Sequence, residues 1–352
     1  MSKGIKFSTE RYSNVSSSDK VQEASKNALQ QAGVFMSILI DAHCHIATKT
    51  AGTSDRDRAF IPQDDDTPVA RCVMSNNQFE WTRLEKGDLP KHTQLAFGVH
   101  PWYCHLFTLQ ENVDPREHYA TVLECNDQQS LDAIIQKLPT PAFLPQYISD
   151  RFDRRRVRCI GEVGLDKLFR LPENGFYSQD CPARLGNVRV KMTHQIAVFR
   201  AMCDLAAREQ LPVSLHAVKC HGIIFEQCRQ LLLPASNVNV CLHSYTGSIA
   251  TLRDFWLPKF GPQRLFVSTS QYINFKVDKD DQLGTKLLET VPLECLLTET
   301  DFAVDTTSMA SQVENLRLVL TKIREHYEFK DDYAVQDVIC RNFSTFLGLS
   351  NI

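Results

Sequence analysis

The sequence predicts an α/β fold, a TIM-type (β/α)8 barrel, and three observations carry that reading. Eight short apolar runs recur between residues 37 and 301, each bounded by loop residues and followed by a segment compatible with a helix, the alternation that builds parallel βαβ units. Eight such units over that length match the size of this barrel, about 250 residues. Polar residues able to bind a cation fall at the C-terminal ends of most of these runs, the end at which such barrels carry their active sites. A doubly wound open sheet would use the same alternation, although no G-x-G-x-x-G follows the first run.

Residues 1–35 are rich in Ser, Lys, Gln and Asn, lack apolar periodicity and read as a disordered tail. Glu10, Asp19 and Glu23 argue against a mitochondrial presequence, which is acid-poor. The barrel domain is expected over residues 36–352. Its strand candidates are SILIDAHCHI (37–46), PVARCVMS (68–75), QLAFGVHP (94–101), VRCIGEVGLD (157–166), LPVSLHAV (211–218), NVNVCLHSY (237–245), RLFVSTSQYI (264–273) and ECLLTETD (294–301). The Asp-, Thr- and Pro-rich stretch from Thr48 to Thr67 reads as a surface loop. Between the fourth and fifth runs, Ile196, Phe199, Ala201, Met202, Leu205 and Ala206 recur near the 3.6-residue period of a helix.

With 39 Lys and Arg against 42 Asp and Glu, the net charge of −3 gives no chain-wide positive field, which excludes tight, sequence-independent coating of DNA. No apolar run approaches the roughly 18 residues of a membrane helix, and no secretory signal opens the chain. The 12 cysteines are scattered without a C-x-x-C pair, several inside apolar runs, as expected of reduced thiols in a cytoplasmic or nuclear protein. Arg151, Arg154, Arg155, Arg156 and Arg158 read as a solvated face, with an acidic-partner patch as the alternative.

The chemistry lies where polar residues fall within the runs. Asp41, His43 and His45 end the first, His100 the third, Glu162 and Asp166 the fourth, His216 the fifth, His243 the sixth, and Glu299 and Asp301 the eighth. His43 and His45 are two apart, so on a strand both face the same side and can hold one ion. One histidine after an apolar strand is more often a satisfied core residue or a chance occurrence than a ligand, and His92, His105, His118, His194, His221 and His326, in loops or helices, are read that way; the joint placement of the others points to a metal centre. Imidazoles and carboxylates without thiolate suit Zn²⁺, Mn²⁺, Fe²⁺ or Mg²⁺. Glu162 can bridge two ions, and Asp301 can hold a water and accept its proton.

The motifs D-A-H-C-H (41–45), G-V-H-P (98–101), G-E-V-G-L-D (161–166), L-P-V-S-L-H (211–216), L-H-S-Y-T-G-S (242–248) and L-L-T-E-T-D (296–301) resemble, in order and spacing, the TatD-type metal-dependent deoxyribonucleases, especially their divergent fungal members, some of them partners of cell-cycle machinery. The resemblance covers about residues 37–348. It implies a barrel metallohydrolase with two divalent cations, Zn, Mg or Mn. His43, His45, Glu162 and Asp301 would surround the first ion and Glu162, His216 and His243 the second, with His100 beside them toward the substrate. Gln195 and Phe199 match the helix before the fifth strand. Four departures stand out: Val218 where an Arg is common, with Lys219 next to it as the remaining cation for substrate; Phe302 and Ala303 after the final E-T-D; Ser270 where a Gly is expected at the end of strand seven; and a long third crossover from Cys104 to Arg156.

The expected function is a phosphodiesterase or deoxyribonuclease acting on DNA ends or short oligonucleotides through a water activated by two metals, with Asp301 and Glu162 as its catalytic residues. The alternatives are a metal-dependent amido or ester hydrolase, and an interaction protein that retains the barrel and its site. DNA or a small phosphodiester is thus the expected partner, with a protein partner as a further possibility and no membrane.

Overall fold

The computed structural model describes residues 38–49, 58–62, 68–276 and 282–350. The tail expected at 1–35 and most of the loop expected at 48–67 lie outside the described residues. Each of the eight apolar runs forms a strand: β1 Leu39–Cys44, β2 Val69–Val73, β3 Thr93–Phe97, β4 Val157–Asp166, β5 Val213–Val218, β6 Val240–Leu242, β7 Leu265–Thr269 and β8 Leu296–Thr298. They pair in parallel in chain order as one eight-stranded sheet. β8 is brought back to β1 by Thr298 Oγ1 donating to Ile40 O (2.6 Å), by Asp301 N donating to His43 O (3.0 Å) and by His45 N donating to Phe302 O (2.7 Å).

Helices cover the outside of the sheet, so β1 and β2 are buried at every position and carry apolar residues on both faces rather than on one. α1 (Gln78–Lys86) follows β2 and is started by Asn77, whose side chain accepts from Phe79 N and Glu80 N. The long β3–β4 crossover carries α2 (Pro115–Val122), α3 (Gln128–Ile135) and α4 (Leu144–Arg151). α5 (Met192–Glu209), which contains the predicted periodic segment, leads to β5, and α6 (His221–Leu231) leads to β6. A helical run over residues 249–260, wound as a π turn at Leu252–Trp256, precedes β7, and α7 (Gln282–Thr290) precedes β8. α8 (Met309–His326) and α9 (Asp332–Leu347) close the chain against β1 and β8. No described helix is long and apolar enough to cross a membrane.

Two glycines let the strands approach closely enough for the site to form. A Cβ on Gly98 would strike the Gly161–Glu162 backbone, and one on Gly164 would strike the carbonyl of His216. The β4–β5 register shifts between Ile160 and Val163, and Glu162 sits in that irregularity, the kind of bulge that re-aims a side chain.

The crossover is fastened by two short pairings, Phe107–Thr108 with Ala142–Phe143 and Leu123–Glu124 with Arg189–Val190. It is also fastened by Trp81 Nε1 donating to Arg151 O at 3.1 Å. The arginine run is held locally: Arg151 pairs with Glu85 (2.7 Å), Arg155 with Asp153 (3.0 Å), and Arg156 donates to Glu85 O (2.6 Å). Of the twelve free cysteines, nine are buried, Cys125 and Cys340 are half-buried, and Cys181 is exposed.

Candidate metal centre

Glu162 is the hub of the barrel's C-terminal mouth. Its Oε2 lies 3.4 Å from His43 Nε2 and 3.2 Å from His45 Nε2, while its Oε1 lies 2.8 Å from His216 Nδ1, 3.2 Å from His243 Nε2 and 3.5 Å from His100 Nε2. Asp301 completes one side, with Oδ1 3.3 Å from His45 Nε2 and 3.9 Å from His43 Nε2. It follows β8 in the left-handed region, φ 59°, a conformation costly for a non-glycine residue. Asp41 helps impose it, because its carboxylate accepts from Thr300 N (2.9 Å) and Thr300 Oγ1 (2.7 Å). Four strand ends distant in sequence thus converge on one carboxylate.

Among the described residues, three groups of donor atoms are close enough to hold a metal ion: His43, His45 and Asp301; His100, Glu162 and His216; and His43, His243 and Glu299. The donor chemistry fits a cation. His43 Nε2 and His45 Nε2 face each other at 3.1 Å, and His43 Nδ1 is bonded to Ser214 Oγ at 2.8 Å, so two imidazole nitrogens converge on one point beside the Glu162 and Asp301 carboxylates. Nitrogen and oxygen donors without sulfur suit Zn²⁺, Mn²⁺ or Mg²⁺.

The electrostatics favour ionised carboxylates. Burial alone would raise Glu162, but the imidazoles of His100, His243 and His43 outweigh it and hold the carboxyl well below its usual range. For Asp301, burial is likewise overcome, by the hydrogen bond from His45 and the charges of His243, His45 and His43. Burial lowers His45, yet its bonds to Asp301 and Glu162 win and raise it to about 10. His216 behaves similarly through Asp166 and Glu162, reaching about 9. Burial dominates at His100 and lowers it to about 4.

The site opens into a cavity of about 350 Å³. His45, His100, Glu162, His216, His243 and Asp301 line it, whereas Lys219 does not; Lys219 stands exposed in the left-handed region at φ 55°, and its neighbour Val218 faces the cavity instead. No Lys or Arg is among the described lining residues. The sequence reading missed Asn76, Trp102, Tyr177 and Gln179, which complete the wall. Asn76 Nδ2 lies 3.2 Å from His45 Nδ1, and Trp102 Nε1 donates to Asp166 Oδ2 at 2.8 Å. Gln195, matched by motif, clamps the backbone of Asp166, accepting from its N (2.9 Å) and donating to its O (3.0 Å). Of the histidines read as core residues, His105, His118 and His194 bond to backbone carbonyls away from the centre.

A parallel eight-stranded barrel with imidazoles and carboxylates gathered at its C-terminal mouth defines a metal-dependent barrel hydrolase. The chain belongs to the TatD related DNase family, whose model matches residues 40–348. It is 46% identical over 275 residues to the uncharacterized deoxyribonuclease YMR262W of Saccharomyces cerevisiae, covering 77% of this chain and 85% of that one. It is 26% identical over 325 residues to the Cut9-interacting protein scn1 of Schizosaccharomyces pombe, covering 80% and 90%. Its fold resembles that of the TatD homolog YJJV from Escherichia coli, with a TM-score of 0.55, 17% identity, and coverage of 90% of this chain and 100% of that one. A TatD family hydrolase from Entamoeba histolytica is similar in fold, with a TM-score of 0.53, 11% identity, and coverage of 89% and 99%.

Proposed function

We propose that the protein is a two-metal phosphodiesterase acting on DNA ends or short oligonucleotides. The observation that carries this reading is Glu162, whose two oxygens face different sets of imidazoles, as a bridging carboxylate would. His43, His45, Glu162 and Asp301 would hold one divalent cation, and Glu162, His216 and His243 the other, the identity being Zn, Mg or Mn. Such cations supply Lewis acidity and lower the pKa of water to about 7. Asp301, half-buried at the cavity wall, accepts the proton of the attacking water. His100, held neutral by burial, orients the phosphoryl group, and Lys219 at the rim attracts the chain of phosphates. A cavity of about 350 Å³ lies at the small end of ligand pockets and suits a strand end rather than a duplex.

A second reading, a carbonyl ester or amide hydrolase, is favoured by the lack of Lys and Arg among the described lining residues. A protein partner is compatible with either; the name of the fission yeast relative is its support. We place the protein in the cytoplasm or nucleus, where its free thiols stay reduced.

Full-length protein stripped with chelator and reloaded with Zn²⁺, Mg²⁺ or Mn²⁺ should regain hydrolysis of a single-stranded oligonucleotide with two ions per chain. Reloaded protein that cleaves carboxylic esters and leaves the oligonucleotide intact would replace the first reading with the second.

A further inference from the structure

We infer that Glu299 is a positioning residue, not a metal ligand: it orients His243, and through it His43, toward the metal centre. This rests on the metal-centre reading above. Glu299 is fully buried and does not line the cavity. Its Oε1 accepts from His243 Nδ1 (3.2 Å) and from Ser244 Oγ, and its Oε2 accepts from Ser268 Oγ. Ser244 is itself braced by Ser270 Oγ at 3.0 Å and sits at φ 38°, a left-handed backbone that turns its hydroxyl onto the carboxylate. Cys241 Sγ donates to Ser268 Oγ at 3.4 Å. The carboxylate therefore rests in a cradle built from the ends of β6, β7 and β8.

A carboxylate only accepts, so the bond to Glu299 takes its hydrogen from His243 Nδ1 and leaves Nε2 as the nitrogen that faces the centre, 3.2 Å from Glu162 Oε1. A buried partner of this kind fixes both the tautomer and the plane of a metal-binding histidine. The His43 ring stacks on His243 with centroids 3.7 Å apart and planes 10° apart, so holding one ring holds the other. The oxygens of Glu299 are near enough to His43 and His243 to join them in a three-donor group. Turning one toward an ion, however, would strip buried hydroxyls and the His243 N–H of their acceptor, and unsatisfied buried groups are costly.

The test uses full-length protein. In metal-free protein labelled with ¹⁵N-histidine, long-range ¹H–¹⁵N correlation should find a hydrogen on His243 Nδ1, and Glu299→Ala should lose it. Calorimetric titration with Mn²⁺ should show at least one site weakened 10- to 100-fold in Glu299→Ala, with partial rescue in Glu299→Gln, which keeps an acceptor oxygen and remains informative where alanine does not fold. A His243 Nδ1 without hydrogen in the wild type, unchanged Mn²⁺ affinity in a folded Glu299→Ala, or a direct Mn–O bond from Glu299 in crystals of the Mn²⁺-loaded protein would each overturn the assignment. The Nδ1 hydrogen is read without metal, so its failure is distinguishable from failure of the metal-centre reading.

Discussion

Individual side chains at the barrel mouth bear on the site more than on the core. His43→Ala and His216→Ala should each lower bound Zn²⁺ or Mn²⁺ and abolish hydrolysis while the circular dichroism spectrum stays that of the wild type; full metal content in both variants would remove them from the ligand set. His43 is the more structural of the two, since its loss also leaves Ser214 Oγ without its imidazole partner. Val218 lines the cavity where a guanidinium would grip two phosphate oxygens. Val218→Arg should raise kcat/KM on a phosphodiester about tenfold or more, given about 1.5–3 kcal/mol for a charge-assisted hydrogen bond, and should not accelerate a carboxylic ester. A folded, metal-loaded variant without that gain would mean that position 218 does not meet phosphate.

The β3–β4 crossover has its own chemistry. His105 donates to Gly175 O (3.2 Å), His118 to His105 O (2.9 Å) and His194 to Cys104 O (3.0 Å), tying the crossover to the segment after β4 and to α5. Burial lowers all three imidazoles, His105 to about 3 and His194 to about 4. An unfolded histidine titrates near 6.5, so between that value and about 3 the unfolded chain binds the protons that the folded chain refuses. The stability these neutral rings contribute is therefore present above pH 6.5 and lost as the pH falls. Hydrogen exchange should show α2 and the 104–108 segment losing protection on acidification before β1 and β4; simultaneous loss would disprove a separate crossover lock. These ties were not legible in the sequence, because each histidine stands alone in a loop or helix and its partner is a backbone carbonyl 13, 70 or 90 residues away. The strands were legible because burial on both faces leaves short runs dominated by apolar residues, and even the three-residue β6 and β8 carry that mark.

At the scale of the molecule, the ligand-bearing residues were readable because a barrel sends every strand's C-terminal end to the same place, so position in a run translates directly into position in space. Asn76, one residue past the second run, carried the same signal and was overlooked; Tyr177 and Gln179 carried none, since they reach the mouth from a segment whose path depends on tertiary packing. Glu299 was visible at its strand end, but its buried role depends on Ser244 and Ser268 from neighbouring strands. Deleting residues 1–35, which lack a helical or strand period, should leave the Tm and the metal content unchanged; a fall of several degrees would make that segment part of the barrel's support.

The distribution of thiols has a practical consequence. Nine cysteines are buried and two half-buried, while Cys181 alone is exposed, two residues beyond Gln179, whose Oε1 accepts from Thr48 N at 2.6 Å on the cavity wall. A maleimide dye added to native protein would attach first at Cys181, more slowly at Cys125 and Cys340, and at the remaining nine only on unfolding. The unmodified chain thus offers a single attachment point beside its own mouth, where a fluorophore would report optically on what enters and leaves.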